Sequence, residues 1–173
     1  DANGNVEWNQ TYGGPESDVA VAMVQTSDGG YALAGETYSS GVGESDFWLV
    51  KVDSSGNLQW NKTYGEQTED KATSVIQTSD GGYALAGYSI DNGTSKDALF
   101  FKTDSSGNMQ WNRTYGGSGG GRAYSVVQTS DDGYALAGST SSFSDDGQSD
   151  FWLVKTNSDG NVEWNKTYTE QKT

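Results

Sequence analysis

The chain of 173 residues has no cysteine, no histidine, one proline and two methionines. The first two absences remove disulfides, thiol nucleophiles, imidazole bases and nearly all zinc chemistry. No apolar run approaches the roughly 20 residues of a membrane-spanning helix, so membrane insertion is not expected. Positive charge is scarce: 10 Lys+Arg stand against 24 Asp+Glu, a formal net charge of −14. That balance argues against nucleic acid or an anionic membrane surface as a partner. No leader-like segment opens at Asp1, the pattern expected of a mature or excised chain. Leu, Ile, Val and Phe are few, and with this charge the composition borders on that of disordered chains. Aromatics offset the shortage, with 6 Trp, 10 Tyr and 5 Phe making 12% of the residues. Each buries roughly 150–250 Å², so a folded chain with an aromatic core is expected.

What is abundant is repetition. Trp8, Trp60, Trp111 and Trp164 each lie in an N-x-x-W-N-x-T-Y segment. Q-T-S-D-G-G-Y-A-L-A-G occurs at 25–35 and 77–87, with the variant Q-T-S-D-D-G-Y-A-L-A-G at 128–138. D-F-W-L-V-K occurs at 46–51 and 150–155, and Asp97 to Lys102 is its middle copy. The period is about 52 residues. Each unit holds four strand-like runs, here Ala20–Gln25, Tyr31–Gly35, Phe47–Val52 and Leu58–Tyr64. Ser27-Asp28-Gly29-Gly30 and Asp53-Ser54-Ser55-Gly56-Asn57 read as hairpins, because their glycines adopt positive φ freely. The third run is apolar at successive positions, so burial on both faces is expected. The fourth alternates, with Leu58, Trp60, Lys62 and Tyr64 on one face and Gln59, Asn61 and Thr63 on the other. No 3.6-residue periodicity is present, and the 24 glycines oppose helix.

Small residues in the first strand, two-sided burial in the third and an amphipathic fourth describe a propeller blade read from axis to rim. The expected fold is all-β, a propeller-type array of about three four-stranded antiparallel blades in a single repeat domain over 1–173. Repeat 1 covers 19–64, repeat 2 covers 70–115 and repeat 3 covers 122–168. A β-trefoil is the alternative, but trefoil units are shorter, and the fourth run occurs four times here. The D-F-W-L-V-K…G-N-x-x-W-N-K-T-Y-G-G pattern with Q-T-S-D-G-G-Y-A-L-A-G resembles repeats of long secreted or cell-surface proteins of archaea and some bacteria. The resemblance implies a β-propeller-like fold of unknown biochemical function, and it brings no catalytic residues. Such proteins carry more repeats than three.

Five N-x-S/T sequons begin at Asn9, Asn61, Asn92, Asn112 and Asn165, and each is a candidate glycan acceptor. Four recur on the polar face of the fourth strand, where duplication alone explains them; Asn92 lies in a loop. The tryptophans, Trp48 and Trp152 included, suit wedge-filling between blades better than sugar stacking; Tyr38 and Phe143 are the conspicuous loop aromatics. The oxygen-rich turns lack the spacing of an EF-hand and serve hairpin geometry. Calcium at Asp145 and Asp146, in Ser144-Asp145-Asp146-Gly147, is the one weak metal candidate, and no other cofactor is implied. Without His or Cys, catalysis would need a unique carboxylate pair, and Glu16, Glu44, Glu66 and Glu69 carry no such signature. Gly116 to Gly121 is not a phosphate loop, because no Lys-Ser/Thr follows it. No enzyme activity is expected.

The expected role is a non-catalytic structural or adhesive repeat protein of an extracellular surface layer or filament, with a carbohydrate-binding lectin-type propeller as the alternative. The run around Trp8 is left over once three blades are counted. Residues 5–12, with Val6, Trp8 and Tyr12 on one face, are expected as a surplus outer strand completing a sheet outside the chain's own blades. The partner would be another copy or a neighbouring repeat of a longer chain, with glycans as further candidate ligands.

Overall fold

The computed structural model describes residues 2–91, 95–143 and 147–169. Among them are twelve strands and no helix. Blade 1 comprises β1 (Asp18–Gln25), β2 (Tyr31–Thr37), β3 (Asp46–Val52) and β4 (Leu58–Tyr64). Blade 2 comprises β5 (Glu69–Gln77), β6 (Tyr83–Asp91), β7 (Ser95–Thr103) and β8 (Met109–Tyr115). Blade 3 comprises β9 (Gly121–Gln128), β10 (Tyr134–Thr140), β11 (Asp150–Thr156) and β12 (Val162–Tyr168). Each blade is a four-stranded antiparallel sheet in chain order. The propeller-type array expected from the repeats is the observed fold. The inner strands β1, β5 and β9 are successive neighbours, so the first strand of each blade lines the axis and the fourth forms the rim.

The alternation of a strand decides which neighbour each residue meets. The forward face of blade 1 (Ala32, Ala34, Phe47, Leu49, Trp60 and Tyr64) packs on the rear face of blade 2 (Val75, Tyr83, Leu85 and Phe101). The forward face of blade 2 (Ala84, Ala86, Ala98, Phe100, Trp111 and Tyr115) packs on Val126, Tyr134, Leu136, Trp152 and Val154 of blade 3. Two interblade cores result, and a third strand lying between two neighbours is buried on both sides, as in Phe100 and Phe101. Paired rings stand in for aliphatic bulk. Phe100 meets Tyr134 edge-on at 5.0 Å, and Phe47 meets Phe101 edge-on at 5.0 Å, the geometry favoured by ring quadrupoles.

Each first strand carries a bulge, at Val21, Thr73 and Tyr124. It throws the first strand's backbone over the second. A Cβ on Gly87 would meet the Lys71 carbonyl at 2.0 Å and the Phe47 ring of the preceding blade at 2.4 Å. Only glycine fits there.

Candidate functional site

The chemistry-bearing residues of this chain recur at the seams between blades. At the rim, Trp60 packs edge-on against Tyr83 at 5.7 Å, and Trp111 against Tyr134 at 5.9 Å. Each indole also lies over a hairpin glycine of the next blade, Gly107 or Gly160. Those glycines have φ of +76°, so they keep the hairpin tight and leave room for the ring. The Tyr64 hydroxyl donates to the Gly107 carbonyl at 2.7 Å, and Tyr115 donates to Gly160 at 2.6 Å. Burial is the main cause that pushes both phenols up from their ordinary pKa. At the opposite edge, the Gln77 side chain accepts from the Ser27 amide and that of Gln128 from the Ser79 amide, both at 2.8 Å. Thr73 donates across the same seam to the Ala123 carbonyl at 2.7 Å.

Within each blade a buried lysine ties three strands together. Lys51 Nζ donates to Asp28 at 2.8 Å, to the Val52 carbonyl at 2.9 Å and to Gln59 at 2.9 Å. Lys102 repeats this with Asp80, Thr103 and Gln110, and Lys155 with Asp131, Thr156 and Glu163. The aspartate sits in the first hairpin, where it also accepts from Thr26 Oγ1 and the Gly30 amide in blade 1. Burial raises the Asp80 carboxyl, but hydrogen bonds from Lys102, Thr78 and the Gly82 amide outweigh it and hold the pKa down to about 2. Hydrogen bonding to lysine, first among the causes, holds Asp28 and Asp131 well below the usual carboxylate range. Sequence reasoning took these turns as conformational and missed the lysines. The signal was one cation in an otherwise apolar run, which a buried strand tolerates only when paired.

The first and last blades carry the same faces without a neighbouring blade. Phe151, Trp164 and Tyr168 are exposed on the forward face of blade 3, whereas Ala20 and Met23 are exposed on the rear face of blade 1. Residues 5–12 make no strand, because a fourth strand bonds to a third, and β3, β7 and β11 are already bonded to β4, β8 and β12. They lie instead over the chain's own blade 1. Trp8 covers Gly56 and meets Tyr31 at 6.1 Å, and the Tyr12 hydroxyl donates to the Gly56 carbonyl at 2.5 Å. These are the contacts that Trp60 and Tyr64 make one blade later. In the single chain, then, the expected strand over residues 5–12 does not form, and the segment packs on blade 1 instead. Val6 stays in solvent.

Asn9, Asn61, Asn112 and Asn165 are all exposed. Asn61 and Asn112 line rim grooves of about 390 and 400 Å³, one between the N-terminal segment and blade 1 and one between the β4–β5 connection and blade 2. In the first, Trp48 Nε1 donates to Asn61 Oδ1 at 3.4 Å, which leaves the amide nitrogen directed away from the indole. Asn92, Asp145 and Asp146 lie outside the described residues. Among the described residues no group of three or more His, Cys, Asp or Glu is arranged to hold a metal ion, and no helix is long and apolar enough to cross a membrane. A pair of buried carboxylates, Asp46 and Asp70, flanks Gly65. Burial, and secondarily the Asp70 charge, pushes Asp46 up, opposed by amide bonds from Gly43 and Val42.

No family model matches the chain, and no curated protein matches it. Among solved structures, it is similar to a crystal structure of a protein of unknown function from Bacteroides caccae. Identity is 11%, the likeness covers 86% of this chain and 67% of the other, and the TM-score is 0.34.

Proposed function

We propose that the protein is a non-catalytic, extracellular structural or adhesive array, a building element of a surface layer or filament. The observation that carries this reading is that its elaborate contacts belong to the repeat. The Trp–Gly–Tyr rim seam, the Gln–Ser hydrogen bond and the Lys–Asp stitch recur from blade to blade. A reaction centre needs groups that converge once, whereas a scaffold needs contacts that are used again. The strongly acidic surface suits a protein that works outside the cell among other polymers, and the exposed fourth-strand sequons give that surface attachment points for glycan. Electron microscopy of native material, with intact mass of the same sample, tests the reading. Ordered lattice or filament with mass above 18.4 kDa by sugar-sized steps supports it. Dispersed, unmodified particles in native extracts argue against both the structural role and the glycans.

A second reading, a lectin-type propeller, draws on the groove between the β4–β5 connection and blade 2. Glu66, Asn112 and Thr114 line it, convergent polar groups of the kind that orient a ligand. A glycan array discriminates the two. Specific binding lost on Asn112→Ala and retained on Gln59→Ala favours the lectin.

A further inference from the structure

The two ends of the array are the two halves of a seam that already forms twice inside it. On the forward face of blade 3, Phe151 is 71% exposed where its counterparts Phe47 and Ala98 are fully buried. Tyr168 is exposed beside it and Val127 at the far end of the same face, and a small apolar hollow at its foot is lined by Tyr124, Ala137 and Gly138. On the rear face of blade 1, Met23 is 61% exposed where Val75 and Val126 are buried against a preceding blade. A second hollow there is lined by Leu33, Trp48 and Val50. Exposed apolar side chains gathered on one face in this way mark association sites.

We infer that the forward face of blade 3 docks on the rear face of blade 1 in a second copy of this chain, and that residues 5–12 hold that rear face shut. The inference rests on the array reading above and supplies its joint. The occupant is a second copy because one chain carries both halves, built from the sequences that pair internally: D-F-W-L-V-K is identical at 46–51 and 150–155. The polar partners match as well. Gln25 stands where Gln77 and Gln128 stand, ready to accept from the Ser130 amide as they accept from Ser27 and Ser79. Lys62 lies over Gly107 in the hairpin that begins at Asp104. Lys166 would lie in the same way over Gly56, in the hairpin that begins at Asp53, bringing opposite charges together. The contact is head-to-tail, so each docked copy leaves the same two faces open at its ends.

The gate follows from shared partners. Trp164 of an incoming copy needs Tyr31 and Gly56, which Trp8 covers, and Tyr168 needs the Gly56 carbonyl that Tyr12 holds. One set excludes the other. The segment has a single strand's contacts and no sheet of its own, whereas the incoming blade offers all four strands. Docking therefore displaces it, at a cost set by its affinity for blade 1.

Sedimentation of the full chain over a concentration series tests this. Trp8→Ala opens the rear face and tightens association at least tenfold over the unaltered chain. Adding Phe151→Lys or Met23→Lys to Trp8→Ala weakens association at least a hundredfold. All three positions are exposed, and unchanged circular dichroism confirms the fold. Mixing the two doubly substituted proteins restores a complex, because one supplies an intact forward face and the other an intact rear face. A Trp8→Ala protein that stays monomeric throughout, or association that survives Phe151→Lys, overturns the inference. Either result leaves the array reading to its own test on native material.

Discussion

Phe47 and Phe151 occupy the same place in the same hexapeptide, so replacing each by alanine isolates the effect of having a neighbouring blade. Phe47 is fully buried, edge-on to Phe101, with its ring tip against Gly87. A buried Phe→Ala change costs about 3–5 kcal/mol, the upper part of the range applying where the site cannot collapse. Here it cannot. Gly87 has no side chain to move in, and its backbone is pinned under the Lys71 carbonyl. The expected cost for Phe47→Ala is therefore about 4–5 kcal/mol. Phe151→Ala removes an exposed ring and should change stability by less than about 0.5 kcal/mol. Urea unfolding followed by tryptophan fluorescence, at protein concentration low enough to prevent association, reads the difference. With a slope of about 2–3 kcal/mol per molar for a chain of this size, the Phe47→Ala midpoint falls by about 1.3–2.5 M and that of Phe151→Ala hardly moves. Comparable losses at both positions would refute the assignment of blade faces.

Tyr64→Phe removes a buried donor to the Gly107 carbonyl and should cost about 1–3 kcal/mol, whereas Tyr12→Phe on the exposed segment should cost less than half as much in the same assay. Gly87→Ala, which drives a methyl into the Lys71 carbonyl and the Phe47 ring, should destabilise by about 3 kcal/mol, measured by thermal melting. Acid provides a further test. Asp28, Asp80 and Asp131 have folded-state pKa values below the unfolded value. Their contribution is thus complete above pH about 4 and is lost as pH falls toward 2. Stability measured across that window should decline, and Lys102→Met should flatten the share due to Asp80.

Much of this architecture was legible because a blade's demands are local. The successive apolar residues of Phe47–Val52 signalled two-sided burial, and the alternation of Trp60, Lys62 and Tyr64 put all three on one face, which the structure lays over the next blade's hairpin. Gly29 and Gly81 announced positive φ; Asp132 replaces them at φ 60°, a conformation aspartate tolerates. Exposure was not legible. Trp60 and Trp164 stand in nearly the same sequence, yet Trp60 is half-buried and Trp164 open, because burial depends on whether a further blade follows. The Trp8 segment misled for the same reason: it has the sequence of a fourth strand but no third strand to bond. The lysine stitch was hidden by distance: Lys51 and Asp28 are 23 residues apart, and although both recur in every repeat, recurrence alone does not say which residues touch.

The seam bonds have one more consequence. Apart from the Thr73 bond, each is made by side chains and carbonyls that every unit carries, so a blade recognises its neighbour without regard to which copy it is. Unequal recombination that inserts or removes one unit of about 52 residues would deliver a chain with every internal seam still complete. The cost of two bare ends is fixed, while each added unit brings a whole seam, so lengthened versions should gain stability per residue as they grow. Copy number in such a gene is thus free to drift toward whatever span its surroundings reward, with no new contact to evolve.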